Sequence, residues 1–395
     1  MTDASSAIAV TGMGVITPLG DSPVALAEAL AAGRTSIADL PEPSPASASR
    51  LIDFEATRYA NIRGMRVYNR ASRLGICATR LAMTDAQLDS IPAEEMGVVF
   101  ATRYAHLDTL IEYDRALVTV GPSRTNAALM PLAIASVPGS VTALSFGLKA
   151  FSITLSNGDA GGLDALSLCM HLLEQGRARA AVVVSANSLC NEIVLSAARA
   201  GLLADAKNVR VFDRDSRGVA LGEAAVALVL ERADHARQRG AQAKAILRGQ
   251  ASRFAPRPDL ISAALTRAAR RALQVAHSAP ADLALVSSAG SGAPATDRAE
   301  ALTLIDVLGE EKTPVTAVKA ALGDADACSG LLQTFAAITS LSARTASPIP
   351  GLANPAVLGL NYVTQATPLR GNQALVTATA RTGSCSALVL SSVDD

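Results

Sequence analysis

The sequence predicts an α/β fold with buried sheets, built from two similar halves. Short apolar runs with the length and composition of buried strands alternate with segments of helical periodicity. The order of elements restarts just after Gly240, as expected of a duplicated unit. Half of the 395 residues are hydrophobic and Ala and Gly are abundant, which provides a sizeable core and lets layers pack closely. Length alone fits two or three average domains or one large duplicated fold. The restart favours the second, with halves at 1–240 and 241–395.

Taken in order, residues 8–20 read as an apolar strand running into a Gly/Pro turn, and a helix is expected over 24–32. Residues 41–49 are a Pro/Ser/Ala loop, and 70–86 carry helical apolar spacing. Strands are expected at 96–100 and 180–185, with an Ala/Leu-rich helix over 163–174 between them. A strand at 224–231 leads into a charged helix at 232–239. The second series runs strand 243–248, helix 261–276 and strand 283–287, and closes on a strand pair at 374–379 and 386–391.

Composition excludes several classes. With 35 basic and 35 acidic residues and 3% aromatics, the chain has neither the charge nor the stacking platform of a nucleic-acid binder. No apolar run approaches the length of a membrane span, and the first residues lack a basic n-region, so neither a span nor a signal peptide is expected. The five scattered cysteines (Cys77, Cys169, Cys190, Cys328, Cys385) read as free thiols in a reducing, cytoplasmic setting. No pair has metal-ligand spacing, and Cys169 and His171, two apart on a helix, point to different faces. No metal and no cofactor are expected.

The chemistry-bearing segments form an ordered set. They are Val10 through Thr11-Gly12-Met13-Gly14 to Gly20; Phe146-Gly147-Leu148-Lys149; Phe212-Asp213-Arg214-Asp215-Ser216-Arg217-Gly218, followed by Leu221-Gly222-Glu223; Gly290 through Pro294 to Asp297-Arg298-Ala299-Glu300; and Lys319 through Gly323 to Gly330. In this order and spacing the chain resembles a β-ketoacyl-acyl carrier protein synthase of the thiolase-like superfamily over nearly its whole length. The resemblance implies a five-layer αβαβα fold of two duplicated halves, and a dimer.

That family condenses acyl chains with a Cys at a helix N-terminus, whose thiolate the helix dipole stabilises. Two His residues donate to the thioester oxygen as enolate charge develops. Here the Cys position, thirteen residues after Phe146, is Asp159. The two His positions are Ala289, in Ala289-Gly290-Ser291-Gly292-Ala293-Pro294, and Asp324, and only the Lys matches, at Lys319. Where the family has a Phe in its C-terminal Gly-rich run, this chain has Arg381 or, one register over, Thr379. The four His residues (His106, His171, His235, His277) lie outside these motifs. A carboxylate cannot replace a thiolate in thioester exchange, so the condensation site reads as abandoned.

One branch of the family is built this way. Chain-length factors of type II polyketide systems lack the Cys and form heterodimers with an active ketosynthase. They commonly carry Gln-Ala-Gly-Gly-Leu-Asp-Ala, and this chain has the same run from Ala160 to Ala165 after Asp159. Aromatic polyketides, aryl polyenes and other polyenes all use such subunits. The resemblance implies an acyl carrier protein as a further partner. It places Leu129, Met130, Leu132 and Ile134 near the dimer axis, where their bulk would limit chain length.

At the vestigial site the expectation is that Asp159, Asp324 and Arg381 converge, with the guanidinium forking between carboxylates that would otherwise repel. The plainer readings are that Asp159 caps its helix, that Asp324 and Asp326 lie in a solvated loop, and that Lys319 is structural. Glu223 and Asp213 are expected to fix loops and caps, and Asp297 and Glu300 to begin a helix. The leading function is a non-catalytic partner subunit. The alternatives are an acyl-ester hydrolase or transferase using Asp159 and Asp324, and a homodimeric binding protein.

Overall fold

The computed structural model describes residues 7–41 and 46–393. The expectation of a non-leader N-terminus therefore lies outside the described residues. Ten strands form the framework. In the first half they are β1 Ile8–Ile16, β2 Met96–Ala101, β3 Ser152–Leu155, β4 Ala180–Asn187 and β5 Ala224–Arg232. In the second they are β6 Ala245–Phe254, β7 Leu283–Ser287, β8 Pro314–Thr316, β9 Gln373–Thr379 and β10 Ser384–Ser391.

The first half orders its strands β1-β5-β4-β2-β3 and the second β6-β10-β9-β7-β8, where the short edge segment Asn361–Tyr362 is added. Directions also correspond: two antiparallel pairings are followed by two parallel ones in each half. The halves meet where β1 pairs antiparallel with β6 (Ile8 opposite Leu247, Val10 opposite Ala245), so the strands form one 11-stranded sheet.

Four of the long helices make the helical layers: α1 Arg70–Ala86, α2 Gly161–Glu174, α3 Ile261–Ala276 and α4 Cys328–Ser342. The amphipathic α1 covers β1, β4 and β5, and α3 covers β6, β9 and β10. Between the two half-sheets lie α2 and α4, whose side chains join strand residues of both halves in one apolar cluster; two further clusters lie under α1 and α3. This is the five-layer αβαβα arrangement of a thiolase-like fold.

The structure refines several expectations. The loop over 41–49 includes a strand, Ser47–Ser49, which pairs with Leu221–Gly222 because its backbone is buried and needs partners. Strand β6 runs on to Phe254, and helix Pro294–Leu308 carries Asp297 in its first turn and Glu300 further along. Helix Leu107–Val120 and strand β3 were not expected.

The central helices approach closely because their facing residues are small. A Cβ on Gly162 of α2 would lie 2.7 Å from the Ala327 carbonyl and 2.9 Å from the Leu331 nitrogen of α4. Backbone cannot yield as a side chain can. Gly162→Leu is therefore expected to lower stability by about 1–3 kcal/mol or more through overpacking, read as a lower urea midpoint, while Gly176→Ala, at a site with open space around it, tests only the loss of a left-handed turn glycine.

Candidate functional site

The N-termini of α2 and α4 lie together, and the loops preceding them supply three carboxyl groups. Strand β3 leads into a tight turn, Gly158–Ala160, that carries Asp159 just before α2. Before α4 comes the short helix Lys319–Leu322, then Gly323, Asp324 and Asp326. Gly323 takes a positive φ of 68° against the backbone of Leu221, where a Cβ would lie 2.7 Å from its carbonyl oxygen. Asp324 is then clamped: its N–H donates to Ala220 at 2.8 Å and its carbonyl accepts from Gly222 at 2.8 Å.

The inner part of the cluster is tightly bonded. Buried Lys319 donates from Nζ to Asp324 Oδ1 at 3.2 Å, and the same oxygen accepts from Ser329 Oγ at 3.0 Å and the Asp326 N–H at 3.1 Å. Burial disfavours charge on both partners, but each outweighs it for the other. Lys319 titrates above the ordinary lysine range and Asp324 below the ordinary carboxylate range. Asp324 is thus in a buried ion pair, not a solvated loop.

The outer part is bonded loosely. Arg103, just past the end of β2, places Nη1 3.9 Å from Asp159 Oδ1 and 3.7 Å from Asp326 Oδ2. Its guanidinium lies over the Tyr104 ring, 4.8 Å from the centroid. Asp159 is only 7% exposed and makes no capping bond. Burial, then the Asp324 charge, pushes its carboxyl above the usual range. Asp326 is raised further, by burial and by Asp159, and its Oδ1 is buried without a hydrogen-bond partner. The three acids face a cavity of about 370 Å³ whose walls are largely apolar.

Arg381 does not form the expected fork. It sits exposed on the turn between β9 and β10, at the rim of the same cavity, and makes no ion pair with either carboxylate among the described residues. Lys319 already satisfies Asp324 from the interior, and Arg103 stands between Asp159 and Asp326. Arg381 acts on Asp159 only through space, favouring its ionised form. Arg103 was missed in the sequence. The available signal was its place beyond the carboxyl end of a buried parallel strand, where α/β folds collect ligand sites.

Ala289 lies buried at the end of β7 and does not line the cavity. Its N–H donates to Glu300 Oε1 at 2.8 Å and to Thr377 Oγ1 at 3.2 Å. Burial pushes Glu300 up to about 7. Asp297 accepts the N–H groups of Phe212, Ser291 and Gly292 at 2.9, 2.8 and 3.0 Å, fixing the loop after Ala289. Asp213 holds Ala353 and Asn354, and Glu223 pairs with Arg70 at 2.6 Å, so both hold loops. Leu129, Met130, Leu132 and Ile134 lie at the surface away from the cavity, with Met130 53% and Ile134 48% exposed. No described His or Cys lines the cavity.

Comparison with known proteins agrees with this architecture. Residues 5–236 match the family model "Beta-ketoacyl synthase, N-terminal domain" and 241–353 match "Beta-ketoacyl synthase, C-terminal domain". The chain is 30% identical to the tetracenomycin polyketide synthase ketoacyl synthase beta subunit of Streptomyces glaucescens, over 98% of each chain. It is 26% identical to 3-oxoacyl-acyl-carrier-protein synthase 2 of a Synechocystis species, over 88% of each. Among solved structures, the ishigamide ketosynthase/chain length factor superposes with a TM-score of 0.90 at 23% identity, covering 98% of this chain and 99% of that one.

Two outcomes follow from the cluster's charges. Asp159 holds its proton more tightly folded than unfolded, so its contribution lowers stability as pH rises above the unfolded value of 3.8. Asp159→Asn is therefore expected to raise the Tm at about pH 8, with the gain vanishing below about pH 4; a gain independent of pH would contradict this origin. Lys319→Met leaves Asp324 buried without its counter-ion, and denaturant titration at neutral pH is expected to show a loss of about 3–5 kcal/mol.

Proposed function

Because the chain belongs to the β-ketoacyl synthase family, we propose that it is a non-condensing, chain-length-factor-like subunit that pairs with an active ketosynthase and shapes the tunnel for the growing chain in type II polyketide biosynthesis. The observation that carries this reading is Asp159, buried at the start of α2 among Arg103, Asp324 and Asp326. Attack by its carboxylate on a thioester would give a mixed anhydride, a higher-energy acyl donor than the thioester it replaces.

At the positions equivalent to the family's His residues, the side chains of Ala289 and of ionised Asp324 offer no hydrogen to a developing enolate. On this reading residues 1–240 and 241–395 are the two halves of one duplicated ketosynthase-like unit, and Asp159, Ala289, Asp324, Lys319 and Arg381 mark the vestigial site. The hydrolase reading receives no comparable support, because Lys319 and Ser329 already engage Asp324.

The partner surface is the one around edge strand β3. Helix Val137–Phe146 packs beside it, and Met130, Ile134 and Leu144 are large apolar side chains left exposed nearby, Leu144 at 77%. Scattered apolar exposure is ordinary, but a group beside an unpaired sheet edge fits a protein interface. Leu129, Met130, Leu132 and Ile134 would meet the ketosynthase and limit product length. An acyl carrier protein would deliver the substrate, in the cytoplasm. No described helix is long and apolar enough to cross a membrane.

Co-expression with a ketosynthase that carries the Cys and both His residues tests the proposal. Size-exclusion chromatography is expected to show a one-to-one complex, and a malonyl-carrier assay to show condensation only with both chains present. Met130→Trp in that complex is expected to shorten the product. A stable homodimer that ignores the ketosynthase would overturn the reading in favour of a homodimeric binding protein.

A further inference from the structure

A second and larger cavity, of about 600 Å³, opens at the other end of α4, away from the acidic cluster. Helix Pro23–Ala31 packs on α4 and lines the space through Val24, Ala27 and Ala31. Buried Met13 and Ile338 add apolar surface. Thr339 and Ser342 in the last turn of α4, with Thr345 just beyond, bring hydroxyl groups. Mainly apolar walls with a few polar groups are what small-molecule pockets of this size have.

Charge in this cavity is one-sided. The cation among its described lining residues is Lys244, whose Nζ already stands 3.0 Å from Asp85 Oδ1. Glu28 lines the same space, is exposed, and makes no ion pair among the described residues. It stands in the last turn of helix Pro23–Ala31, the end at which the helix dipole disfavours an acid. The carbonyl end of α4 opens on the cavity as well, and the last carbonyls of a helix lack intrahelical partners. Neither helix carries a basic residue in its last turn. Arg344, beyond α4, is exposed and does not line the cavity. A bound cation would relieve both helix ends at once.

We propose that this cavity binds a primary amine carried on an apolar body. The ammonium group donates to the Glu28 carboxylate and to oxygen atoms at the end of α4, and the body lies against Val24, Ala27 and Ile338. Charge selects the head group. A carboxylate would meet Glu28 and the negative end of a helix dipole, and an alcohol would leave the Glu28 charge unanswered. A quaternary ammonium has no hydrogen to donate, and no aromatic ring among the described lining residues offers it a cage.

This inference does not rest on the subunit reading, since the cavity lies at the far end of α4 from the vestigial site. The test is titration of the full chain with hexylamine, 1-hexanol, hexanoate and hexyltrimethylammonium, followed by calorimetry and thermal shift. Hexylamine is expected to saturate one site and raise the Tm, and each of the others to bind about tenfold more weakly or not at all. Glu28→Gln is expected to weaken hexylamine about tenfold and to leave 1-hexanol unchanged. Ala27→Trp and Ala343→Trp, which fill the cavity from its two helices, are each expected to abolish hexylamine binding. Ile193→Trp, in the separate acidic pocket beside Arg103, is expected to leave it unchanged.

Failure of hexylamine to saturate a site would overturn the proposal. Equal or tighter binding of the alcohol, the carboxylate or the quaternary ammonium would overturn the head-group assignment, as would undiminished hexylamine binding to Glu28→Gln. Undiminished binding to Ala27→Trp and Ala343→Trp, both folded by circular dichroism, would place the amine elsewhere. Loss of binding in Ile193→Trp would move it to the acidic pocket and overturn the site.

Discussion

The buried pair of Lys319 and Asp324 sets the state of everything around it. Their exposures are 3% and 8%, so neither charge has appreciable access to water, and each is tolerable only because the other is 3.2 Å away. The pair ties the short helix Lys319–Leu322 to the loop entering α4, and Ser329 locks that loop from the first turn of α4. It also adds to the titration of its neighbours. Burial raises the Asp159 carboxyl first, and the ionised Asp324 nearby adds a like charge that raises it more. Asp326 is raised by its own burial and then by Asp159. The cluster thus divides into an ionised inner pair and an outer layer that holds protons tightly.

Duplication explains why so many acids collect at one point. In the two halves α2 and α4 occupy equivalent places between the sheets, and both begin at the same spot. Two positive helix ends converge, and the residues leading into them are acidic: Asp159 before α2, Asp324 and Asp326 before α4. The compensating cations come from the strands. Arg103 follows β2 and Lys319 follows β8, both at carboxyl ends of the parallel part of a half-sheet. The close contact at Gly162 makes this meeting possible, because wider separation of the helices would move Asp159 away from Asp324.

What the sequence disclosed follows from how each element meets water. Helices α1 and α3 are half-buried, so their apolar stripes marked both ends of the expected ranges 70–86 and 261–276. Helix α4 is buried on nearly every side and has no polar face to set its period, and β8 has only three residues, so neither declared itself. Strand Ser47–Ser49 is polar in sequence but buried through its pairing, against the usual sign of the signal. At the site, motif spacing singled out Asp159, Asp324 and Lys319, which lie in one cluster. It failed on Arg381, because a motif locates a backbone and not the direction of a long side chain. It missed Arg103, which belongs to no motif and is marked only by its place beyond the carboxyl end of β2.

These contacts bear on how such a site departs from condensation. A thiol restored at position 159 would meet Arg103 and Lys319, which favour a thiolate, but also Asp324, which opposes one. It would still find no free donor at Ala289, whose one hydrogen-bond donor, the N–H, is committed to Glu300 and Thr377. Each change is supported by the others: Asp159 is tolerable beside Arg103, Asp324 is tolerable beside Lys319, and Ala289 fits a loop that Asp297 and Glu300 already hold. Random decay of a catalytic centre would leave uncompensated charges. Here the inner carboxylate Asp324 is paired with Lys319, and the outer carboxyls Asp159 and Asp326 share Arg103, so the replaced centre is a set of mutually compensating charges.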